Sequence, residues 1–558
     1  MSGDPYNNRP WLSQYSEGVS DHVIAKFETI HAAFESAVRS KPNAAAIHYF
    51  GTTITYLDLD QASNGLAGAL HETGFRAGDR LGLYLQNNPA FVIGMLAAWK
   101  IGGAVVALSP MNKSRELTYL LQDSGARAVV CLDELYEDVV KPVIDNRAVE
   151  IDLVVLVSML DYQASNDPRR DSPAAECATA SRTKRLQEVV SSKGRNSSFP
   201  LIHPRGHDLA ILAYTSGTTG KPKGTMITHD NLRFAAQTYQ EWIGLKSDDL
   251  ILGIAPLFHV TGLVAHVSLS LIAACPLILT HRFSPEAMIE TIREKRPTFT
   301  IGAITAFMSL MSVPGAQRSD FSSFKAVYSG GAPMPPAIID AFEDFSGIYL
   351  HNAFGMTETC SPTHLVPLGK RAPIDEATGA TSIGVPVFDT DVRIVDDEGR
   401  DVPVGESGEI IDHGPQVMNG YWQKPQATSE TIRAGWLYTG DVGFMDAQGW
   451  FYLVDRKKDM IVVSGYKVWP REVEDVLYSH PAVREAVVVG IPDDYRGETV
   501  KAVVSMKPGA EVPAETLIEY CKQNLAAYKY PRVLEVLADL PKTASGKLMR
   551  STLRDAKA

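Results

Sequence analysis

Tyr214-Thr-Ser-Gly-Thr-Thr-Gly-Lys-Pro-Lys-Gly224 is the stretch from which the rest of the chain is read outward. It follows an apolar run, Leu209-Ala-Ile-Leu-Ala213, which has the length and composition of a short buried strand. Behind that strand stand four hydroxyl side chains, three glycines and two lysines, with Pro222 the only apolar side chain among them. Free backbone N–H groups, small hydroxyl donors and mobile cations are the parts needed to surround a polyphosphate. Most Gly/Ser/Thr clusters are plain surface loops; here the hydroxyls, glycines and lysines are all packed behind one buried strand. The nucleotide P-loop pattern G-x-x-x-x-G-K-[ST] does not fit. Gly220-Lys221 is followed by Pro222, and the position five before Gly220 is Thr215. The stretch reads as a phosphate loop of another kind.

The 558 residues are enough for three or four sub-regions in two domains. Hydrophobic residues at 45% and charged ones at 21% are ordinary for a globular protein. A net charge of −12 leaves no basic excess to neutralise phosphates, so nucleic acid is not expected as a partner. Cys131, Cys177, Cys275, Cys360 and Cys521 are far apart with no C-x-x-C, which argues against a zinc site or a disulfide framework and fits a reducing compartment. The N-terminal residues contain no apolar signal region, and Ala556-Lys557-Ala558 is not a Ser-Lys-Leu type address. The apolar stretches 91–110 and 263–279 are interrupted by Lys100 and by His266, serines and Pro276. Both therefore read as buried helix and strand, not as membrane spans. A soluble, cytoplasmic protein is expected, with a homodimer left open.

Along the chain, Arg9-Pro-Trp-Leu-Ser-Gln-Tyr-Ser-Glu-Gly-Val19 sets aromatics among turn residues, as in a segment lying across a surface. From Phe27 to Val157, short apolar strands such as 80–86 and 104–108 alternate with helical stretches such as 89–100, which predicts βα units and a largely parallel sheet. Residues 161–198 turn polar and read as an excursion or loop. Alternation resumes over 210–354, with strands expected at 251–256, 275–279, 298–302 and 326–329. Short strands with Gly and Pro turns over 379–453 suggest a small sheet or barrel. The charged run after Val454 predicts a boundary, giving a large domain over 1–455 and a small α+β domain over 456–558. In the latter, Pro470-Arg-Glu-Val-Glu-Asp-Val-Leu477 starts like a helix, with Pro and acids in its first turn.

Three later motifs carry chemistry more weakly. His351-Asn-Ala-Phe-Gly-Met-Thr-Glu358 ends in a turn whose carboxylate and hydroxyl could hold a Mg²⁺ behind a ring able to stack a base. It reads equally as a strand ending in a polar turn. Tyr438-Thr-Gly-Asp441 offers a carboxylate suited to two vicinal ribose hydroxyls. Pro541-Lys-Thr-Ala-Ser-Gly-Lys547 presents a lysine on a Gly-containing turn, although terminal lysines are mostly solvated.

Taken in order, these segments closely resemble the adenylate-forming superfamily of acyl-CoA synthetases, non-ribosomal adenylation domains and luciferases. The resemblance runs nearly end to end, through 214–224, Pro256-Leu-Phe-His259, Gly330-Gly-Ala-Pro333, Phe354-Gly-Met-Thr-Glu358, Tyr438-Thr-Gly-Asp441, Asp455-Arg-Lys-Lys458, Ser464-Gly-Tyr466 and Lys547. The stretch 435–458 looks like the fatty-acyl-CoA synthetase signature, and Pro10-Trp-Leu with Tyr15 and Gly18-Val19 is similar to the N-terminal segment of long-chain fatty acid ligases.

The resemblance implies an α/β fold with a mobile C-terminal domain, and a two-step reaction. A carboxylate attacks the α-phosphorus of ATP to give acyl-AMP and pyrophosphate; the thiol of CoA then displaces AMP. By position, Thr215, Ser216, Gly217, Thr218, Thr219 and Lys223 would cradle the β- and γ-phosphates. Gly331, Ala332 and Pro333, with Asn352, Ala353, Phe354, Gly355 and Met356, would line the nucleotide pocket. Thr357 would meet the α-phosphate, Glu358 with Thr218 the Mg²⁺, and Asp441 with Arg456 the ribose. Lys547 would bridge the attacking carboxylate and the α-phosphate. Lys458 would be the hinge, and Ser464, Gly465 and Tyr466 would face CoA after the small domain turns. His259 would stand where the acyl and pantetheine tunnels meet, and Ala303, Ala306, Phe307 and Gly330 would wall the acyl pocket.

Phe354 stands where a tyrosine usually stacks on adenine, so the ring face survives and the hydroxyl does not. Lys467 and Trp469 replace the smaller or neutral residues that long-chain enzymes often carry. The expected activity is conversion of a medium- or long-chain fatty acid to its CoA thioester, using ATP, Mg²⁺ and CoA. An aryl- or other carboxylic acid–CoA ligase is the alternative within the fold, and a non-catalytic nucleotide-binding protein the alternative from another class. An amino-acid adenylation module is disfavoured, because the region 255–259 lacks an aspartate to pair a substrate ammonium.

Overall fold

The computed structural model describes residues 6–147, 149–164, 182–193, 199–215, 221–376, 378–464, 466–493, 495–543 and 547–555. Two large sheets dominate. In the seven-stranded one, Arg80–Tyr84, Ala104–Leu108, Ala126–Leu132 and Leu153–Val157 run parallel, each an unbroken or nearly unbroken apolar run. Helices cover both faces of such sheets, so the strands show no polar alternation. Helix Pro89–Lys100 packs there with every residue buried, which accounts for the apolar stretch that begins at Phe91. No helix among the described residues is long and apolar enough to cross a membrane.

The nine-stranded sheet carries Phe299–Gly302, Ala326–Gly330 and Leu350–Met356 side by side and parallel, then turns antiparallel through Ser361–Leu365. The expected strand over 251–256 is shorter, Ile251–Leu252, because Pro256 and the helical residues from Val260 end it. A five-stranded antiparallel sheet follows, including Gly408–His413, Trp436–Met445 and Phe451–Arg456. A last sheet, built from residues after 460, pairs Ile461–Val463, Tyr466–Val468, Val483–Asp493 and Gly497–Met506 antiparallel, with Val533–Val536 parallel at one side. The fold is thus α/β, with a large N-terminal domain and a smaller C-terminal one.

The N-terminal segment does lie across the large domain. Trp11 is buried edge-on to Phe451, and Tyr15 meets Trp242 and Phe388 while its hydroxyl donates to the Pro386 carbonyl. One expectation fails. Within the polar region expected to be a loop over 161–198, Thr183–Arg185 forms an edge strand on Leu153–Val157, and Leu186–Lys193 a helix. Leu186 and Val189 supply the reason: they are buried against the large core, with Val190 packed on it beside them. Cys177 and Ser181 lie outside the described residues.

Candidate active site

Within the seven-stranded sheet, strand Leu209–Tyr214 lies parallel to Ala104–Leu108 and antiparallel to the edge strand Gly224–Thr228, with Tyr214 opposite Gly224. The phosphate-loop stretch is therefore the tip of a hairpin, not the strand-to-helix turn of a P-loop. Its neck is closed by the Thr215 N–H donating to the Lys223 carbonyl at 3.0 Å and the Lys223 N–H donating to the Thr215 hydroxyl at 3.4 Å. Ser216, Gly217, Thr218 and Thr219 lie outside the described residues. The ammonium of Lys223 sits 4.1 Å from the ring centroid of Tyr421. Tyr421 in turn donates its hydroxyl to Glu358 Oε1 at 2.7 Å. One side chain thus ties the loop lysine to the carboxylate expected near the phosphates.

Glu358 sits where strand Leu350–Met356 ends. A single turn, Thr357–Thr359, reverses the chain into Ser361–Leu365, and the reversal forces Cys360 and Ser361 to positive φ of 49° and 87°. Such backbone is costly for residues with side chains and persists only where its surroundings hold it. Here the Thr359 hydroxyl receives the Met356 N–H at 2.9 Å and donates to the carbonyls of Met356 and Ser361. At Gly355 a Cβ would stand 1.8 Å from the Ser361 carbonyl oxygen, so no other residue fits the close strand approach. Glu358 is 8% exposed. Asn352 is buried and donates to the Ser382 carbonyl at 3.1 Å, while Phe354 meets the ring of His364 edge-on.

Asp441 and Arg456 face each other in register across the five-stranded sheet, with Arg456 Nε 3.4 Å from Asp441 Oδ1. Burial pushes the Asp441 carboxyl up to about 6, against the pull of Arg456. Beside it, Asp412 is fully buried, and burial with the Asp441 charge lifts it to about 8. The sequence reading passed over Asp412, although an acid after two isoleucines in a strand is the kind of break that could have drawn attention.

Lys547, far along the small domain, reaches this same place. Gly331 has φ +82°, and a Cβ on it would stand 2.8 Å from Lys547 Cε, so the glycine leaves room for the lysine stem. Burial, then the neighbouring Arg456 charge, pushes the ammonium down to about 8, opposed by the carboxylates of Asp441 and Glu358. His259 is also near. Its Nδ1 accepts the Thr261 N–H at 3.3 Å, leaving the ring proton on Nε2. Burial, then the Lys547 charge, favours the neutral imidazole, with its pKa pushed down to about 3. Such a ring can donate a hydrogen bond from Nε2 and is a poor base.

Of the other expected positions, Ser464, itself at φ +50°, and Tyr466 are exposed in the small domain, Tyr466 stacked on Tyr528; Gly465 lies outside the described residues. Lys458 is exposed, and desolvation of its ammonium, then the Arg456 charge, lowers its pKa from the usual lysine range. Ala303 and Ala306 are half-buried, and Ala332 and Pro333 likewise. A Cβ on Gly330 would stand 2.5 Å from the Ala353 carbonyl oxygen, so strand packing alone demands glycine there. Phe307 is 1% exposed and packs edge-on to Phe342 inside a core cluster.

A cation from the C-terminal part of the chain is therefore buried against Gly331, within the electrostatic reach of Asp441 and Glu358. Residues 34–422 match the family AMP-binding enzyme, and residues 472–547 match the AMP-binding enzyme C-terminal domain. The chain belongs to the AMP-binding enzymes. It is 35% identical to the long-chain-fatty-acid–CoA ligase of Bacillus subtilis (strain 168), with 98% of each chain covered. It is also 34% identical to a feruloyl-CoA synthase of Amycolatopsis sp, covering 92% of this chain and 96% of that one. A solved anthranilate CoA ligase in complex with anthranoyl-AMP superimposes with a TM-score of 0.83 at 26% identity, covering 96% and 98%. This AMP-binding enzyme is an acid–thiol ligase that makes an acyl-CoA through an acyl adenylate, with ATP and CoA as substrates.

Proposed function

We propose that the acid is a medium- or long-chain fatty acid. The observation that carries this reading is the full-length likeness to long-chain ligases, which includes the N-terminal segment packed through Trp11 and Tyr15. The half-buried Ala303 and Ala306 are small and apolar, as an alkyl chain requires. Likeness of nearly the same degree to a feruloyl-CoA synthase favours an aryl acid as the second reading.

In the first step Lys547 would lie between the attacking carboxylate and the α-phosphate, where negative charge concentrates. Asp441 and Arg456 would hold the ribose, Thr357 would meet the α-phosphate, and Asn352, Ala353, Phe354, Gly355 and Met356 would line the base pocket with Gly331, Ala332 and Pro333. The loop, Thr215 to Thr219 with Lys223, would hold the departing pyrophosphate. No covalent enzyme intermediate is needed: positioning and charge neutralisation carry the step. The residues fit a Mg²⁺ ion, since among the described residues only Oε1 of Glu358 takes a side-chain hydrogen bond, from Tyr421, and hard oxygen donors suit that ion. Bound there with Thr218, it would supply neutralisation of phosphate charge. For the second step, Lys458 would act as hinge, with residues up to 455 in the large domain and those from 456 in the small one. The domain turn would withdraw Lys547 and bring Ser464, Gly465 and Tyr466 toward CoA, past His259.

A panel of carboxylic acids, scored for pyrophosphate release and CoA-thioester formation, tests the substrate. Turnover should be highest with fatty acids of medium or long chain. Turnover of aryl acids with none of any fatty acid would overturn the reading.

A further inference from the structure

The Lys547 turn has two anchors, and they differ in kind. The turn closes on itself, with the Thr543 N–H donating to the Lys547 carbonyl at 2.7 Å and the Met549 N–H to the Pro541 carbonyl at 2.9 Å. On one side Lys542 pairs with Glu485 and Asp539, both at 2.9 Å, all within the small domain. On the other side Arg550 opens the final helix, Arg550–Asp555, three residues beyond Lys547. Its guanidinium reaches out of that helix in two directions: Nη1 donates to Asp455 Oδ1 at 2.8 Å, and Nη2 to Glu474 Oε2 at 2.7 Å. Asp459 stands 3.5 Å from the same guanidinium and also receives Arg554 at 3.2 Å.

Asp455 is the informative partner. It ends the strand Phe451–Arg456, next to Arg456, whose register mate is Asp441. Its side chain is 4% exposed, and Arg550 is 19% exposed. The second carboxylate oxygen of Asp455 accepts the Arg471 N–H at 3.0 Å, at the start of helix Pro470–Tyr478. Glu474, on that helix, spends its other oxygen on the Val488 N–H at 2.8 Å. All four oxygens are therefore engaged, as buried carboxylates require. Charge-assisted bonds of this geometry fix distance and direction better than a flexible lysine pair does.

We propose that Arg550 is a positioning residue for the adenylation step: its grip on Asp455 sets how far Lys547 reaches toward Asp441 and Glu358. Arg550 touches no reacting group itself. It spans from the turn that carries Lys547 to the strand end beside the Asp441–Arg456 pair. This inference rests on the reading of Lys547 as the adenylation cation and of Lys458 as the hinge. Asp455 precedes that hinge and Arg550 follows it, so a turn about the hinge would shift Arg550 relative to Asp455, whereas the Lys542 anchor would travel with the turn.

The test compares Arg550→Met, Arg550→Lys and Asp455→Asn with the unaltered full chain. Pyrophosphate release from acid and ATP is measured beside thioester formation from supplied acyl-AMP and CoA, with thermal melting as the control for folding. Arg550→Met should lower kcat for pyrophosphate release roughly ten- to a hundredfold, as expected for a misplaced catalytic group. The KM for ATP should change little, and thioester formation should be retained. Arg550→Lys should recover part of the loss, and Arg550→Met with Asp455→Asn should cost no more than the worse single change. Unchanged pyrophosphate release in a folded variant, or equal loss in both half-reactions, would overturn the proposal. If Arg550→Met does not fold, Arg550→Lys and Asp455→Asn decide by the same split. Lys547→Ala separates the two levels: full pyrophosphate release without Lys547 rejects the reading beneath, whereas its loss alongside normal Arg550 variants rejects only the positioning role.

Discussion

The two halves of the site are built in opposite ways. The large domain's groups are set in rigid frames: Glu358 in a strained reversal tied by three Thr359 hydrogen bonds, and Asp441 inside the ten-residue strand Trp436–Met445. The small domain's contribution, Lys547, stands on a short turn whose link to the large domain runs through ion pairs at the chain boundary. The fixed half suits groups needed throughout the reaction, because it costs nothing to rebuild between steps. The delivered half suits a charge needed once. Under the proposed mechanism, this division would make the lysine's location a variable of the reaction and the carboxylates its constants.

Substitutions on either side should separate the two. Lys547→Ala should lower pyrophosphate release by roughly 10²–10³, the cost of one charge-stabilising donor. Asp441→Ala should weaken both half-reactions by roughly 10- to 100-fold, because ATP and acyl-AMP share the ribose and each loses bonds to a charged group. Both values are readable from steady-state assays of each half-reaction. A smaller effect follows from pH. With Lys547 held down at about 8, its cation is present below that pH and lost above it. The kcat/KM for adenylation should therefore fall about tenfold per pH unit beyond roughly 8 to 9, while thioester formation from acyl-AMP should not follow that limb. In Lys547→Arg the alkaline fall should vanish, since a guanidinium keeps its charge.

How much of this was legible in the sequence depended on distance along the chain. Leu209–Tyr214, the Thr357–Glu358 turn, Asp441 and the order of motifs are local patterns, and the strands Ala104–Leu108 and Ala326–Gly330 announce themselves by apolar runs. Tyr421 and Arg550 carried no such signal. Tyr421 meets Glu358 from 63 residues away, and Arg550 meets Asp455 from 95. An aromatic after a glycine or an arginine in a terminal helix looks the same whether or not it has a buried acid to meet. The same holds for Leu186 and Val189, whose burial gave a helix to a region that composition assigned to loop. Phe307, which the resemblance places at the acyl pocket, packs as a core ring on Phe342, in one cluster with Leu310 of its own helix and with Ile292 and Phe321 from neighbouring segments.

The claim that one half is fixed and the other delivered meets its most direct test in a single assay: CoA-thioester formation by Lys547→Ala from supplied acyl-AMP. The account predicts a rate within a few-fold of the unaltered enzyme. A fall as deep as the loss of pyrophosphate release would contradict it, placing Lys547 among the constants of the site.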